Sequence, residues 1–297
     1  MKISAYLLIP ALVVMAVFPA YALKINGYDP ARHDRFISGY PEAPVLNQKF
    51  FAAGYDWSGV GWDAGNANRS IALISPLHFV CANHNKIPPG NAVTFLNRDG
   101  HLKSYTVAGY STFSYNDADG GKHVADLALG RLKNPVKPVD NIAYYSVLNA
   151  DNAEVSGFNG DWYIGKEIIS YGETARAGIN TIYSFGFITT NKTHSPDNRT
   201  FSAISDFHPG LTAQFPDEAG FAGGDSGSLS FLVWNNRLTV IGTHFSAGKD
   251  GALQYNADAF LPYYLPDLNS AMKDSGYSVS TVIIDPDPSS LLFFRLE

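Results

Sequence analysis

The sequence predicts an all-β protein built in two halves and closed by a single C-terminal helix. Three observations carry that prediction. Short apolar runs rich in β-branched and aromatic residues fill both halves, and Gly, Asn, Asp and Pro clusters separate them at the spacing of barrels or sandwiches. A segment with the look of a connector, "NPVKPVDNIAYY" (134–145), stands between the halves. One stretch alone carries paired helix start and stop signals.

In chain order, the first half holds "SIALISPLHFVCA" (70–82), "AVTFLN" (92–97), "SYTVAGYSTF" (104–113) and "VADLALGRL" (124–132). The second holds "EIISYGE" (167–173), "INTIYSFGFITT" (179–190), "SLSFLVW" (228–234) and "RLTVIGTHFSA" (237–247). "WNNRL" reads as a tight hairpin, because Asn235 and Asn236 tolerate the positive φ that a two-residue turn demands. "LPDLNSAMKDSG" (265–276) is the helix, opened by proline and closed by Gly276. No internal repeat recurs at a fixed period.

Composition bounds the function classes. Of 297 residues, 45% are hydrophobic and 13% aromatic, which is globular rather than disordered. A net charge of −6 lacks the basic face that nucleic acid requires. The lone cysteine, Cys81, excludes an internal disulfide, so the fold must rest on its apolar core. "MKISAYLLIPALVVMAVFPAYAL" has a Lys2 head, an apolar centre and Ala20-Tyr21-Ala22, the pattern of a secretory leader (1–22) cut after Ala22. An uncleaved membrane anchor is the alternative reading of that stretch. The expectation is export by a Sec-type signal to the medium, periplasm or cell surface, with bacterial export favoured by the cysteine count, and no stable membrane insertion afterwards.

The chemistry gathers around "GFAGGDSGSLSFL" (220–232). On its own this is a glycine-rich turn before a strand. Ser226 acts as a nucleophile only if a base takes its proton and a carboxylate orients that base. His84 ends an apolar strand where the pattern turns polar, and Asp126 heads an otherwise apolar one, where an unpartnered carboxylate is costly to bury. Taken singly, each residue also reads as an ordinary strand-end polar group.

Together, "ISPLHFVCANH", "ADLALGRL" and "GGDSGSLSFL" resemble, in order, the histidine, aspartate and serine motifs of the chymotrypsin-like (trypsin-fold) serine proteases, of the bacterial disulfide-free type. The order His, Asp, Ser is that of this family, and 42 and then 100 residues separate the three. The resemblance implies two antiparallel six-stranded β-barrels with a C-terminal helix. It divides the chain into a leader (1–22), an N-terminal extension (23–44), a protease domain (45–277, with barrels near 45–145 and 146–262 and the helix 265–276) and a tail (278–297). That tail reads first as a disordered one; "PDPSSLLFF" also resembles the start of a bacterial sorting signal of the PEP-CTERM kind, without the long apolar helix and basic cluster that complete it. The implied catalytic residues are His84, Asp126 and Ser226, with an oxyanion hole from the backbone of Gly224 and Ser226. Asp225 would anchor that loop. Cleavage after Lys24 would free an Ile25 ammonium to pair with Asp225, against the alternative of a plain N-terminal extension.

The substrate pocket implied by the resemblance takes Gly220, Phe221 and Ala222 as its floor, with Gly223 as a further substrate-binding residue. Its wall is His244 with Phe245, Ser246 and Ala247, the last three pairing a peptide as an added strand. No acid stands on the floor, so a trypsin-like preference for Lys or Arg is not implied. "GTH" at 242–244 resembles the pocket strand of glutamyl endopeptidases, where the histidine meets an acidic side chain; a buried structural histidine is the other reading. The partner expected is a protein or peptide substrate, with the protein itself a monomer and no metal or cofactor. A trypsin-fold binding protein without turnover, or an esterase using the same triad, stays open at this point.

Overall fold

The structure is a computed structural model and describes residues 23–116, 121–150, 160–191, 197–250 and 253–284. The leader and most of the tail lie outside the described residues.

The first half contributes β1 (Val60–Asp63), β2 (Asn66–Leu73), β3 (His78–Cys81), β4 (Ala92–Leu96), β5 (Leu102–Asn116) and β6 (Lys122–Leu132). Their antiparallel pairings run β1–β2, β2–β3, β3–β6, β6–β5, β5–β4 and β4–β1, which closes a six-stranded barrel. The second half contributes β7 (Glu167–Tyr171), β8 (Ala177–Asn191), β9 (Asp197–Phe207), β10 (Leu229–Trp234), β11 (Arg237–Asp250) and β12 (Leu253–Phe260). Here the circuit is β7–β8, β8–β9, β9–β12, β12–β11, β11–β10 and β10–β7, also antiparallel. The predicted two-barrel, all-β fold is the one observed. Both barrels follow the same strand order, a structural repeat with no counterpart at a fixed sequence period.

Alternation explains why the strands are apolar on both faces. Ile71 and Leu73 of β2, Phe79 and Cys81 of β3, and Ala128 and Leu132 of β6 share one cluster with β4. Their neighbours Ala72, Val80, Leu127 and Leu129 turn instead to a cluster that also takes Tyr171, Leu229, Phe231 and Val240 from the second half. Leu232 and Ile241 face a third cluster with Ile168, Ile182 and Phe260. In the shared cluster, Trp57 stacks on Tyr171 at 5.0 Å and meets the Phe231 edge at 5.4 Å. Cys81 is fully buried, and burial pushes its thiol up to about 12, in keeping with a packing role.

Asn235 and Asn236 take φ of 48° and 61°, as the hairpin reading requires. The helix is shorter than predicted: Leu265–Met272 is α-helical, and Lys273–Ser275 tightens into a 3₁₀ turn ending at Gly276 with φ 74°. Two short strands lie outside the span 45–277. Thr281–Ile283, placed in the tail, adds a parallel strand to Val147–Asn149, so the sheet extends past 277. Lys24–Ile25, placed in the extension, pairs antiparallel with Ala219–Gly220 beside the serine loop.

Candidate active site

His84 and Asp126 meet at the edge of the first barrel. After β3 the chain stays extended at Ala82 and makes one 3₁₀ turn, Asn83–Asn85, which lifts His84 beyond the sheet. Asp126 lies in β6, and its carboxylate is only 3% exposed. One oxygen accepts the His84 backbone N–H at 3.0 Å and the other takes Nδ1 at 2.6 Å. A carboxylate there only accepts, so the neutral ring carries its proton on Nδ1 and leaves a lone pair on Nε2. The Asp126 hydrogen bond raises the His84 pKa, with burial opposing it. The Asp126 N–H donates to Thr200 Oγ1 of β9 at 2.8 Å, which ties the acid to the second barrel.

Ser226 sits in a tight bend before β10. The Asp225 N–H donates to Ala222 O at 3.2 Å and the Ser228 N–H to Asp225 O at 2.9 Å, while Gly224 and Gly227 take φ of 110° and 87°. Positive φ at both positions explains the glycines. Among the described residues no backbone acceptor takes the N–H of Gly224 or Ser226, so both donors are free for a developing oxyanion. Asn85, next to His84, donates to the Ser226 carbonyl at 2.6 Å and fastens the bend to the histidine turn. No hydrogen bond joins His84 Nε2 to Ser226 Oγ, a contact that in enzymes of this chemistry often tightens only in the Michaelis complex.

Asp225 is buried beneath the bend. One carboxylate oxygen accepts the Ala222 N–H at 2.8 Å; the other accepts those of Leu23 at 3.2 Å and Glu173 at 3.3 Å. Burial pushes its pKa up to about 6, against the pull of these donors. Ile25 is held in register with Ala219, and the nitrogen that reaches Asp225 is Leu23's, at the boundary of the expected leader.

The expected pocket residues divide into a surface and a sealed set. Gly223 is exposed and Ala222 half-buried. Gly220 presses against the Phe207 ring, and the Phe221 N–H is held by Asn256 Oδ1 at 2.8 Å. Ser246 and Ala247 pair with Ala257 and Asn256 of β12 on one edge, and no described strand covers their other edge. Phe245 is buried. His244 is also buried, under Phe221, with ring centroids 3.7 Å apart. Its Nε2 meets Ser230 Oγ at 3.1 Å, and Ser230 donates to Asp258 at 2.9 Å. Burial drives His244 down to about 3 and Asp258 up to about 7. In this arrangement an uncharged ring lies beneath phenylalanine and presents nothing to an acidic side chain until Phe221 moves.

Sequence reasoning missed Asn85, Thr200, Glu173, Asn256 and the Leu23 amide. Only Asn85 had a signal, in the polar "NHN" directly after an apolar strand. Among the described residues no cluster of three or more His, Cys, Asp or Glu is arranged to hold a metal.

No family model matches the chain, and no curated protein matches it. Among solved structures, the NS6 protease from murine norovirus 1 aligns over 69% of this chain and 90% of its own, at 16% identity and a TM-score of 0.41. The human heparin binding protein aligns over 73% of this chain and 92% of its own, at 12% identity and a TM-score of 0.47. Likeness at this level carries no argument about activity. The fold rests on the two closed strand circuits.

Proposed function

We propose that the protein is an exported serine endopeptidase that cleaves protein or peptide substrates through an acyl-enzyme. The observation that carries this reading is the two-point grip of Asp126 on His84, which sets Nε2 as the base beside a nucleophile-type bend. In the proposed reaction His84 removes the Ser226 proton as Oγ attacks the scissile carbonyl. The Gly224 and Ser226 amides receive the oxyanion, and the imidazolium then protonates the leaving amine. Water repeats the sequence on the acyl-enzyme, with His84 again as base. The uncovered edge at Ser246 and Ala247 takes the substrate backbone as an added strand. With Phe221 over His244 and no acid on the floor, the first pocket is neutral and not trypsin-like.

Export is part of the proposal, on the leader pattern at 1–22. The Leu23 nitrogen at Asp225 supports a cut after Ala22, since the ammonium so released would arise beside that carboxylate.

The test is labelling of the folded mature protein with a fluorophosphonate. The reading expects labelling that is abolished by Ser226→Ala and strongly slowed by His84→Ala. Folded wild-type protein that does not label, or labels equally without Ser226, overturns it and favours a non-catalytic binding protein. Turnover of esters but not peptides by a labelling enzyme overturns the peptidase half alone.

A further inference from the structure

The peptide group that joins Ser226 to Gly227 is held from both barrels. Its N–H, on Gly227, donates to the His244 carbonyl of β11 at 2.8 Å. Its carbonyl, on Ser226, accepts from Asn85 Nδ2 at 2.6 Å. A Cβ on Gly227 would stand 3.4 Å from the Ala82 nitrogen and 3.6 Å from the Ser70 carbonyl oxygen, so the bend lies against β2 and the residue after β3. Asn85 belongs to the same 3₁₀ turn as His84. The backbone of the serine and the histidine are thus referred to one short turn, and the direction of the Asn85 amide decides whether that reference holds.

An asparagine amide can turn over with little change of shape, exchanging its donor for its acceptor. Turned over, Asn85 Oδ1 would face two carbonyl oxygens, that of Ser226 and that of Asn68, which Nδ2 reaches at 3.3 Å. On the other side of the amide stands Arg69 of β2, whose Nε donates to Oδ1 at 3.4 Å. The contact is long, but its donor is a full cation, and a turned amide would set its NH₂ against that charge. Arg69 is itself braced, because Nη1 pairs with Asp63 Oδ2 at 3.0 Å. Asp63 is 1% exposed at the end of β1, and its other oxygen accepts the Gly65 N–H at 2.9 Å. A carboxylate buried to this degree is costly to leave unpaired, so it fixes the guanidinium and with it the direction of Nε.

We propose that Arg69 is a positioning residue: braced by Asp63, it turns the Asn85 amide toward the Ser226 carbonyl and so sets Ser226 Oγ within proton-transfer range of His84. This rests on the proposed protease reading. Arg69 takes no proton and acts through Asn85 alone. A lysine in its place keeps the charge and the pairing with Asp63, but one nitrogen cannot serve Asp63 and Asn85 in the two directions of the guanidinium fork.

The test measures fluorophosphonate labelling and Tm on the folded mature protein carrying Arg69→Met, Arg69→Lys, Asn85→Ala, or Arg69→Lys with Asn85→Ala. Arg69→Met is expected to lower Tm by several degrees, since it leaves Asp63 unpaired, and Arg69→Lys to recover most of that loss. Labelling is expected to slow about fivefold in both, the size of one net hydrogen bond. In the Asn85→Ala background the lysine is expected to slow labelling no further. Labelling that recovers along with Tm in Arg69→Lys overturns the proposal, because the ion pair alone would then suffice. A lysine that slows the Asn85→Ala chain by the same about fivefold overturns it too. The pH midpoint of labelling is expected to stay at the wild-type value in Arg69→Lys; a shift large enough to account for the slowing overturns positioning in favour of an effect on the His84 charge. If wild-type protein does not label, the protease reading has failed. The Asn85 side-chain NH₂ signals, assigned in NMR spectra by their loss in Asn85→Ala, then decide the grip. Protection from solvent exchange that Arg69→Lys abolishes upholds it, and equal protection overturns it.

Discussion

Replacing Asp126 by asparagine separates the acid's charge from its shape. The carboxylate serves two donors at once, the His84 N–H at 3.0 Å and Nδ1 at 2.6 Å, and an amide has one oxygen. If that oxygen stays with the backbone, the amide NH₂ faces Nδ1 and forces the ring proton onto Nε2, where no base then remains. If the amide flips, the backbone N–H loses its acceptor, at a net cost of about 1 kcal/mol, and meets a donor instead. Either way the productive tautomer becomes a minor state. A loss of about 10³–10⁴ in acylation rate follows, or about 4–5.5 kcal/mol of barrier. The assay is the second-order rate of fluorophosphonate labelling from pH 5 to 9. In the wild type the rate falls as pH drops through the His84 pKa, which Asp126 holds above the ordinary 6.5. In Asp126→Asn the residual rate titrates at a lower pH. Near-UV circular dichroism checks that the variant stays folded. A folded variant that labels within tenfold of wild type refutes the reasoning.

Further outcomes follow from other contacts. Asn85→Ala removes the 2.6 Å tie to the Ser226 carbonyl and is expected to slow labelling about tenfold with a Tm loss of a few degrees, read by the same two assays. Phe221→Ala uncovers His244, and a peptide-library digest is expected to gain cleavage after Glu or Asp that the wild type lacks; adding His244→Ala removes the gain. Gly130→Ala drives a Cβ into the Phe79 ring within the first barrel, an overpacking cost of about 1–3 kcal/mol that calorimetry reads as a lowered Tm.

Much of this was legible because local rules were obeyed. The β3 and β6 runs are apolar on both faces, so each reads as a strand, and an acid inside "VADLALGRL" demanded a partner. Asn235 and Asn236 declared their turn by residue type. What stayed hidden lies in pairs far apart in sequence. Nothing in "SYGETAR" says that Glu173 lies behind Gly224, and Thr200 lies in the polar-apolar alternation of an ordinary strand. The common strand order of the barrels was equally unreadable, because period-two alternation fits countless sequences and leaves no repeat. His244 misled for a related reason. Its motif is local, whereas its accessibility is decided by Phe221, a residue in another segment.

The seam between Lys24–Ile25 and Ala219–Gly220 carries a kinetic consequence. It closes a loop of about 200 residues, whose entropy exceeds that of a 20-residue hairpin loop by about 2 kcal/mol. A chain that emerges from a membrane pore N-terminus first presents Leu23 at the start and Asp225 only near the end. The latch is therefore among the last contacts to form. Changes within it are expected to speed unfolding while leaving the folding rate nearly untouched. On the proposed reading of export and catalysis, the bend at Ser226 stays unassembled while most of the chain is still inside the cell.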